Sequence, residues 1–416
     1  MKKVMKLQIL MLCLSSFATN VFAQSEVCSC ESDLKLLDSK IRKIPAYQIN
    51  KKKYKNVFAT ALQEVASTKT LFECHHLLNE LLIALNDNHS KVYGTDLGAT
   101  DEVMASPEMF SKFKKSALFN SYPKPDIDLG ELMKLLNSKE KKGVEGVYQN
   151  ENGMKIGVYK SNDRNVYNAI VLDSVSDVWE VGEIIYTLFP LGNDYLLSVG
   201  GNTKSKRMIA YVERVGHGFF YFMGFQKDMT QINYASNLRS EKTYYRESIS
   251  DEITYLKIGS FDAWYPTLSD AERFYETLKG NLNKKYLILD LRNNRGGGDR
   301  NSDILFKILK RYAKQKYIYL LINHRTISNA EQFAHKLSQL KNVRLFGMRT
   351  NGTLAYEVKD ELYTLPCGNF RAVLSSKKHT KYLEFESKGI VPDITFDQET
   401  DWVEQLIDYI ENNNHD

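Results

Sequence analysis

Between residues 253 and 346 the chain alternates short strand-forming runs with helical ones, and one strand run ends in three consecutive glycines. The runs 253–258, 286–291, 317–322 and 343–346 have strand length and are rich in branched and aromatic residues. The intervening segments 269–282, 303–312 and 331–340 carry helical periodicity. Strands alternating with helices predict an α/β region whose sheet is largely parallel and covered on both faces. The second strand run ends in Leu289-Asp290-Leu291-Arg292-Asn293-Asn294-Arg295-Gly296-Gly297-Gly298. A strand that runs into glycines exposes backbone N–H groups. The next strand run is followed by Thr326-Ile327-Ser328-Asn329-Ala330-Glu331, which places a serine at a helix start, where further N–H groups are free.

Ser328 has a plain structural reading, since Ser328-x-x-Glu331 matches a helix capping box. The glycine-rich strand end gives it a chemical one. Gly296 or Gly297, with the amide of Asn329, would form an oxyanion hole beside a Ser328 nucleophile, the equipment of acyl transfer. No Gly-Lys-Ser/Thr follows the glycines, so a phosphate-binding loop is unsupported. A serine nucleophile needs a base, and spacing does not choose among the eight histidines. His89 lies in a polar turn, Asn86-Asp87-Asn88-His89-Ser90, and His324 shares the strand exit with Ser328. Glu386-Ser387-Lys388-Gly389-Ile390-Val391-Pro392-Asp393 is either a loop closed by proline or the source of an acid near the site.

The remaining sequence frames this region. Residues 1–23 have the layout of a secretory signal: Lys2, Lys3 and Lys6, a short apolar core from Leu7 to Leu14, and Val21-Phe22-Ala23 before Gln24. Bulky Met11-Leu12 before Cys13 argues against a lipoprotein signal. No later segment looks transmembrane, and the chain is expected to be exported to a periplasmic or extracellular space. Removing 1–23 takes away three lysines and no acids, so the net charge falls from +5 to +2, which is no footprint for nucleic acid. Of the remaining cysteines, Cys28 or Cys30 is expected to pair with Cys74 in that oxidising setting, in preference to a metal held by Cys28, Cys30, Cys74, His75 and His76. Residues 24–140 are expected to be mainly helical. Residues 141–238 hold seven short strand candidates separated by turns such as Asn152-Gly153, which predicts a small antiparallel barrel or sandwich, taken here as a β-barrel-like module. Residues 239–416 form the α/β core. The aromatic content of the middle module leaves open carbohydrate or lipid binding if its interior is hollow, and a spacer role if it is filled.

Four segments occur in order: the strand end 289–298, Thr326 to Glu331, Gly347-Met348-Arg349-Thr350-Asn351-Gly352 and Gly389-Ile390-Val391-Pro392-Asp393. Together they resemble the tail-specific, or C-terminal-processing, serine protease family, which includes the tricorn protease core. The resemblance covers about residues 240–400 and implies a core like the Clp-protease/crotonase-like α/β fold, a peptide or protein substrate, and no cofactor or metal. It matches Ser328 to the nucleophile and Gly296 or Gly297 with Asn329 to the oxyanion-hole donors. Processing proteases of the family use a lysine base, whose place here falls on Thr353. Tricorn-like members use a histidine and a glutamate, which match His89 and Glu386. Asn88 replaces the serine that precedes that histidine, and the middle module replaces a PDZ domain found in many members. A binding or scaffolding protein with a degenerate core is the alternative, with the His89–Ser328 distance as the discriminating observation.

Overall fold

A computed structural model describes residues 29–192, 194–359 and 362–413. The expected signal segment, Cys28 and His415 lie outside the described residues. The N-terminal region is helical as its periodicity predicts, with α1 (Cys30–Ile41), α2 (Pro45–Glu64) and α3 (Leu71–Ile83). Leu34, Leu37, Leu78, Leu81 and Leu82 turn one apolar stripe of α1 and α3 into a shared core. Cys30 and Cys74 are joined by a disulfide that ties α1 to α3, with Cα atoms 5.7 Å apart. That bond takes up two residues of the alternative metal set. A short strand, β1 (Lys91–Gly94), follows, then α4 (Asp101–Ala105), α5 (Pro107–Lys114) and α6 (Leu129–Asn137).

The middle region is a seven-stranded antiparallel meander in chain order: β2 (Gly146–Gln149), β3 (Lys155–Lys160), β4 (Tyr167–Asp173), β5 (Ile184–Gly192), β6 (Tyr195–Gly201), β7 (Met208–Gly216) and β8 (Phe219–Phe220). Its sheet curls, and Gln226 bridges to both Gln149 and Phe219, lacing the first strand to the last. Tyr148, Ile156, Val158, Ala169 and Phe220 are fully buried, so the interior is filled by side chains. Tyr195 on β6 donates to Thr350 O and Lys388 O, which docks the meander on the C-terminal region.

The C-terminal region continues with β9 (Tyr244–Ser248), β10 (Ile253–Ile258), α7 (Thr267–Leu278), β11 (Tyr286–Asp290), α8 (Asp299–Tyr312), β12 (Tyr317–Ile322), α9 (Asn329–Ser338) and β13 (Val343–Gly347). The short strands β14 (Tyr356–Glu357), β15 (Leu362–Thr364), β16 (Phe370–Val373), β17 (Lys377–Lys378) and β18 (Ile394–Thr395) precede the final helix α10 (Trp402–Asn412). The main sheet has the order β18-β13-β12-β11-β10-β9, parallel except for β9 at one edge. Alternation along the strands feeds two cores. Leu287, Leu289, Ile318 and Leu320 face the layer of α7, α8 and α9, whereas Tyr286, Ile288, Leu321 and Phe346 pack with Trp402, Val403 and Leu406 of α10. Helix α8 starts four residues before the expected 303, because Gly298 serves directly as its N-cap. The glycine run is therefore also a strand-to-helix junction.

One pairing crosses the regions. Strand β1 adds antiparallel to β16, with Lys91 opposite Val373 and Gly94 opposite Phe370, in a small sheet β1-β16-β15. The N-terminal segment is thus a strand of a C-terminal sheet, and the turn just before β1 is delivered to the end of the main sheet.

Candidate active site

Helix α3 begins with a capping box, Glu73 N donating to Thr70 Oγ1 and Thr70 N to Glu73 Oε2. Asn86, with φ of +48°, stops the chain from continuing as helix after it. Asp87 then shapes the turn: its Oδ1 accepts from the amides of His89 (3.0 Å) and Ser90 (3.3 Å). Its Oδ2 accepts from the hydroxyls of Ser90 (2.6 Å) and Ser375 (2.5 Å). Beyond the turn, Asn79 bonds both the amide and the carbonyl of Val92, at 3.0 Å each, so α3 holds β1 as a neighbouring strand would. Lys91 Nζ donates back to Asn88 O at 2.5 Å.

Ser328 sits where β12 has ended and α9 begins, with φ +59° and ψ −122°. A serine in that region carries strain of order 1–3 kcal/mol, which surrounding contacts must hold. A sharp, strained strand-to-helix turn of this kind lifts a serine hydroxyl clear of its helix. Two neighbours hold it here. Ser328 N donates to Glu331 Oε2 at 3.0 Å, one half of the capping box foreseen in the sequence. Gly296 packs so closely that a Cβ there would come within 2.7 Å of Ile327 O and 2.9 Å of Asn329 N. The adjoining loops are also bonded, Ile327 N to Asn294 O at 2.9 Å.

The decisive geometry is between these segments. Ser328 Oγ lies 3.0 Å from His89 Nε2, across 239 residues of sequence. Of the two candidate glycine donors, Gly296 spends its amide on Asn294 Oδ1 at 2.8 Å, which removes it as an oxyanion donor. Among the described residues the amides of Gly297 and Asn329 have no acceptor. Glu386 does not bond the histidine. Its Oε1 accepts from Asn88 N (2.8 Å), and its Oε2 from Leu354 N (2.9 Å) and Ala355 N (2.7 Å). Asn88 adds a side-chain bond to Gly352 O at 2.9 Å, so the residue that departs from the family pattern also pins the turn. Thr353 donates its amide to Glu331 and its hydroxyl to Asn351. His324 is buried behind the loop and bonds Asn351. His75 and His76 are buried in α3, and His379 pairs with Glu357.

Two residues that sequence reasoning undervalued organise the site. Glu331, expected only as a cap partner, accepts from Ser328 N, Thr350 Oγ1, Gly352 N and Thr353 N. Asp87 was visible only as part of a turn-forming cluster, although Asp-x-x-Ser is a signal for such a turn. Burial pushes His89 down to about 4, against the pull of Asp87 and with repulsion from Lys91. Its ring is therefore neutral at pH 7. Its Nδ1 is buried without a partner among the described residues. Burial, reinforced by Asp87, raises Glu386 to about 8, and burial raises Glu331 to about 7, in each case against the bonds they accept. One ring nitrogen of His89 and one oxygen each of Asp87 and Glu386 lie within 4.8 Å of one another. Those donor types suit a divalent cation, but Asp87 already accepts four hydrogen bonds and Glu386 three, so the carboxylates are committed to the backbone and hydroxyls.

A sequence model of peptidase family S41 matches residues 252–312 and 303–396. That match spans 145 of the 416 residues and makes the α/β region similar to peptidase family S41. The chain is accordingly a serine-type peptidase, a hydrolase, as the motifs around Ser328 foretold. No curated protein matches its sequence. Solved structures similar to it include mature CPAF, with 12% identity, coverage of 93% of this chain and 99% of that one, and a TM-score of 0.45. A putative peptidase from Parabacteroides merdae has 14% identity, coverage of 92% and 96%, and a TM-score of 0.42. The photosystem II D1 C-terminal processing protease has 12% identity, coverage of 89% and 93%, and a TM-score of 0.37. The S41 match ends before α10 and begins just before β10, so it takes in Ser328 and Glu386 but not His89.

Proposed function

We propose that this S41 peptidase is exported and cleaves peptide bonds through an acyl-enzyme formed on Ser328. The observation that carries the proposal is the 3.0 Å approach of His89 Nε2 to Ser328 Oγ. His89 takes the hydroxyl proton as Ser328 attacks the peptide carbonyl, and returns it to the leaving amine. Water then enters by the same route and releases the acid. The amides of Gly297 and Asn329 stabilise the oxyanion, each on the order of 3 kcal/mol in mutational terms. Glu386 acts on His89 through the backbone, holding the Asn88 amide against the loop at Leu354. The core is proposed to follow the Clp-protease/crotonase-like plan, with residues 24–140, 141–238 and 239–416 as its three regions. The Cys30–Cys74 disulfide supports an oxidising, periplasmic or extracellular setting.

The test is labelling of residues 24–416 with a fluorophosphonate. Labelling of the wild type, lost in Ser328→Ala and strongly reduced in His89→Ala, is the expected result. Equal labelling of wild type and Ser328→Ala removes Ser328 as nucleophile. The alternative of a degenerate core that only binds peptides is disfavoured by the same contact, since it called for a histidine remote from the serine.

A further inference from the structure

Outside the reacting groups, the most unbalanced feature beside the elbow is its positive charge. Arg295 immediately precedes the glycine run, and Arg325 lies three residues before Ser328. Their loops are the two joined by the Ile327 N to Asn294 O bond. Both guanidinium groups lie over the ring of Phe222, at 5.0 and 5.8 Å from its centroid, and Tyr211 backs that ring at 4.8 Å. Phe222 belongs to the turn after β8, so the meander supplies the platform and the S41 region the charges. Among the described residues neither arginine has an ion-pair partner, and Arg325 Nε is buried without an acceptor. Nearby Glu213 offsets the charge only in part, its pull on Arg325 being smaller than the effects of burial and of Arg295. Its oxygens accept from the amides of Arg214, Phe222 and Met223. Glu357, the carboxylate that acts on His89 from β14, is already paired with Lys377 and His379. Two guanidinium groups held together by a shared ring repel each other, and burial with that repulsion lowers Arg325. A carboxylate between them would gain two charge-assisted partners and relieve the repulsion.

We propose that Arg295 and Arg325, braced on Phe222, form a subsite beside Ser328 for a carboxylate of the peptide substrate. The inference rests on the peptidase reading and adds a substrate class to it. The carboxylate comes either from an acidic side chain or from the end of the peptide chain.

Matched fluorogenic peptides separate these sources: Glu or Gln at a given position near the cleaved bond, each with a free or amidated C-terminus. We expect the carboxylate-bearing peptide to be cleaved with at least a tenfold higher kcat/KM, an advantage that shrinks at high salt. A Glu effect that persists in amidated peptides assigns the side chain, and a free-acid effect alone assigns the chain end. Arg295→Gln and Arg325→Gln should bring the ratio towards one. Arg273→Gln, an exposed arginine paired with Asp270 on α7, should leave it unchanged. Equal cleavage of all four peptides, or an undiminished ratio in both subsite variants, overturns the subsite while the peptidase stands. Fluorescence anisotropy with Ser328→Ala reads the same ratio without turnover. If no peptide is cleaved but the carboxylate preference appears in binding, the peptidase reading falls and the subsite survives. If neither appears, both fall.

Discussion

Ser328 and His89 show how little of a site depends on residue type alone. A serine at a helix start is usually a cap, and here the capping partner Glu331 is present and bonded. What separates Ser328 from an ordinary cap is a positive φ and a neutral imidazole facing its hydroxyl. The imidazole also sets a pH dependence. An ordinary histidine loses its proton near 6.5, whereas burial lowers His89 to about 4. The base form is then complete well below neutrality. The expected kcat/KM profile is nearly flat between pH 6 and 8, with its acid limb displaced towards pH 4 or 5. A limb centred at 6.5 would show an exposed, unperturbed histidine and overturn this assignment. The unpartnered Nδ1 of His89 belongs to the same picture, since no bonded carboxylate raises the ring's basicity.

At the scale of elements, the site is a junction of three loops held by carboxylates that bond backbone. Glu386 joins the turn before β1 to the loop before β14 through three N–H donors. Glu331 joins the elbow to the loop after β13. Glutamine at 386 keeps the shape but turns an N–H donor towards backbone donors. Each donor left unsatisfied costs roughly 1–3 kcal/mol. Glu386→Gln should therefore lower Tm and also reduce kcat about tenfold or more, because His89 follows the Asn88 backbone. Thermal melts and steady-state kinetics check both, and an unchanged kcat in the folded variant would deny Glu386 any positioning role. The sequence marked Glu386 as an acid near the site, and the resemblance to the family gave it the role of fixing the histidine or contacting the peptide. The bonds go to amides instead, a use of carboxylate that no spacing announces.

The whole molecule buries carboxyl groups and imidazoles that titrate in opposite senses. Burial raises Glu213 and Glu331 to about 7 and Glu386 to about 8, from the ordinary 4.5. Above 4.5 the unfolded chain has released these protons while the folded chain keeps them, so stability falls as pH rises through 7 to 8. Burial lowers His75 to about 4 and His76 and His324 to about 3, from 6.5. Below 6.5 the unfolded chain takes up protons that these folded histidines refuse, so stability falls there as pH drops. Between pH 6.5 and 8 the three buried carboxyls outweigh Lys91, which burial lowers to about 8 and which acts in the opposite sense only near the upper end. Tm should therefore decline across that interval. Calorimetry at matched ionic strength tests this, and a Tm that rises from pH 6.5 to 8 contradicts it.

The sequence by itself determined the α/β alternation from 253 onward, the seven short strands of the middle region, the helical N-terminal region, and the serine and glycines that meet at the sheet end. Each of these is written in periodicity, turn residues or glycine conformation, which act over a few neighbouring residues. The meander order of those seven strands came only with the fold. Strand β1 escaped notice because four residues, Lys91 to Gly94, hold too little pattern to distinguish a strand from a loop. Yet its register with β16 brings His89 to Ser328. Which glycine keeps a free amide was equally hidden, because it turns on Asn294 folding back onto Gly296. These features depend on the packing of segments far apart in the chain. Local sequence specifies the groups a site can use, and only the closed tertiary fold decides which of them meet.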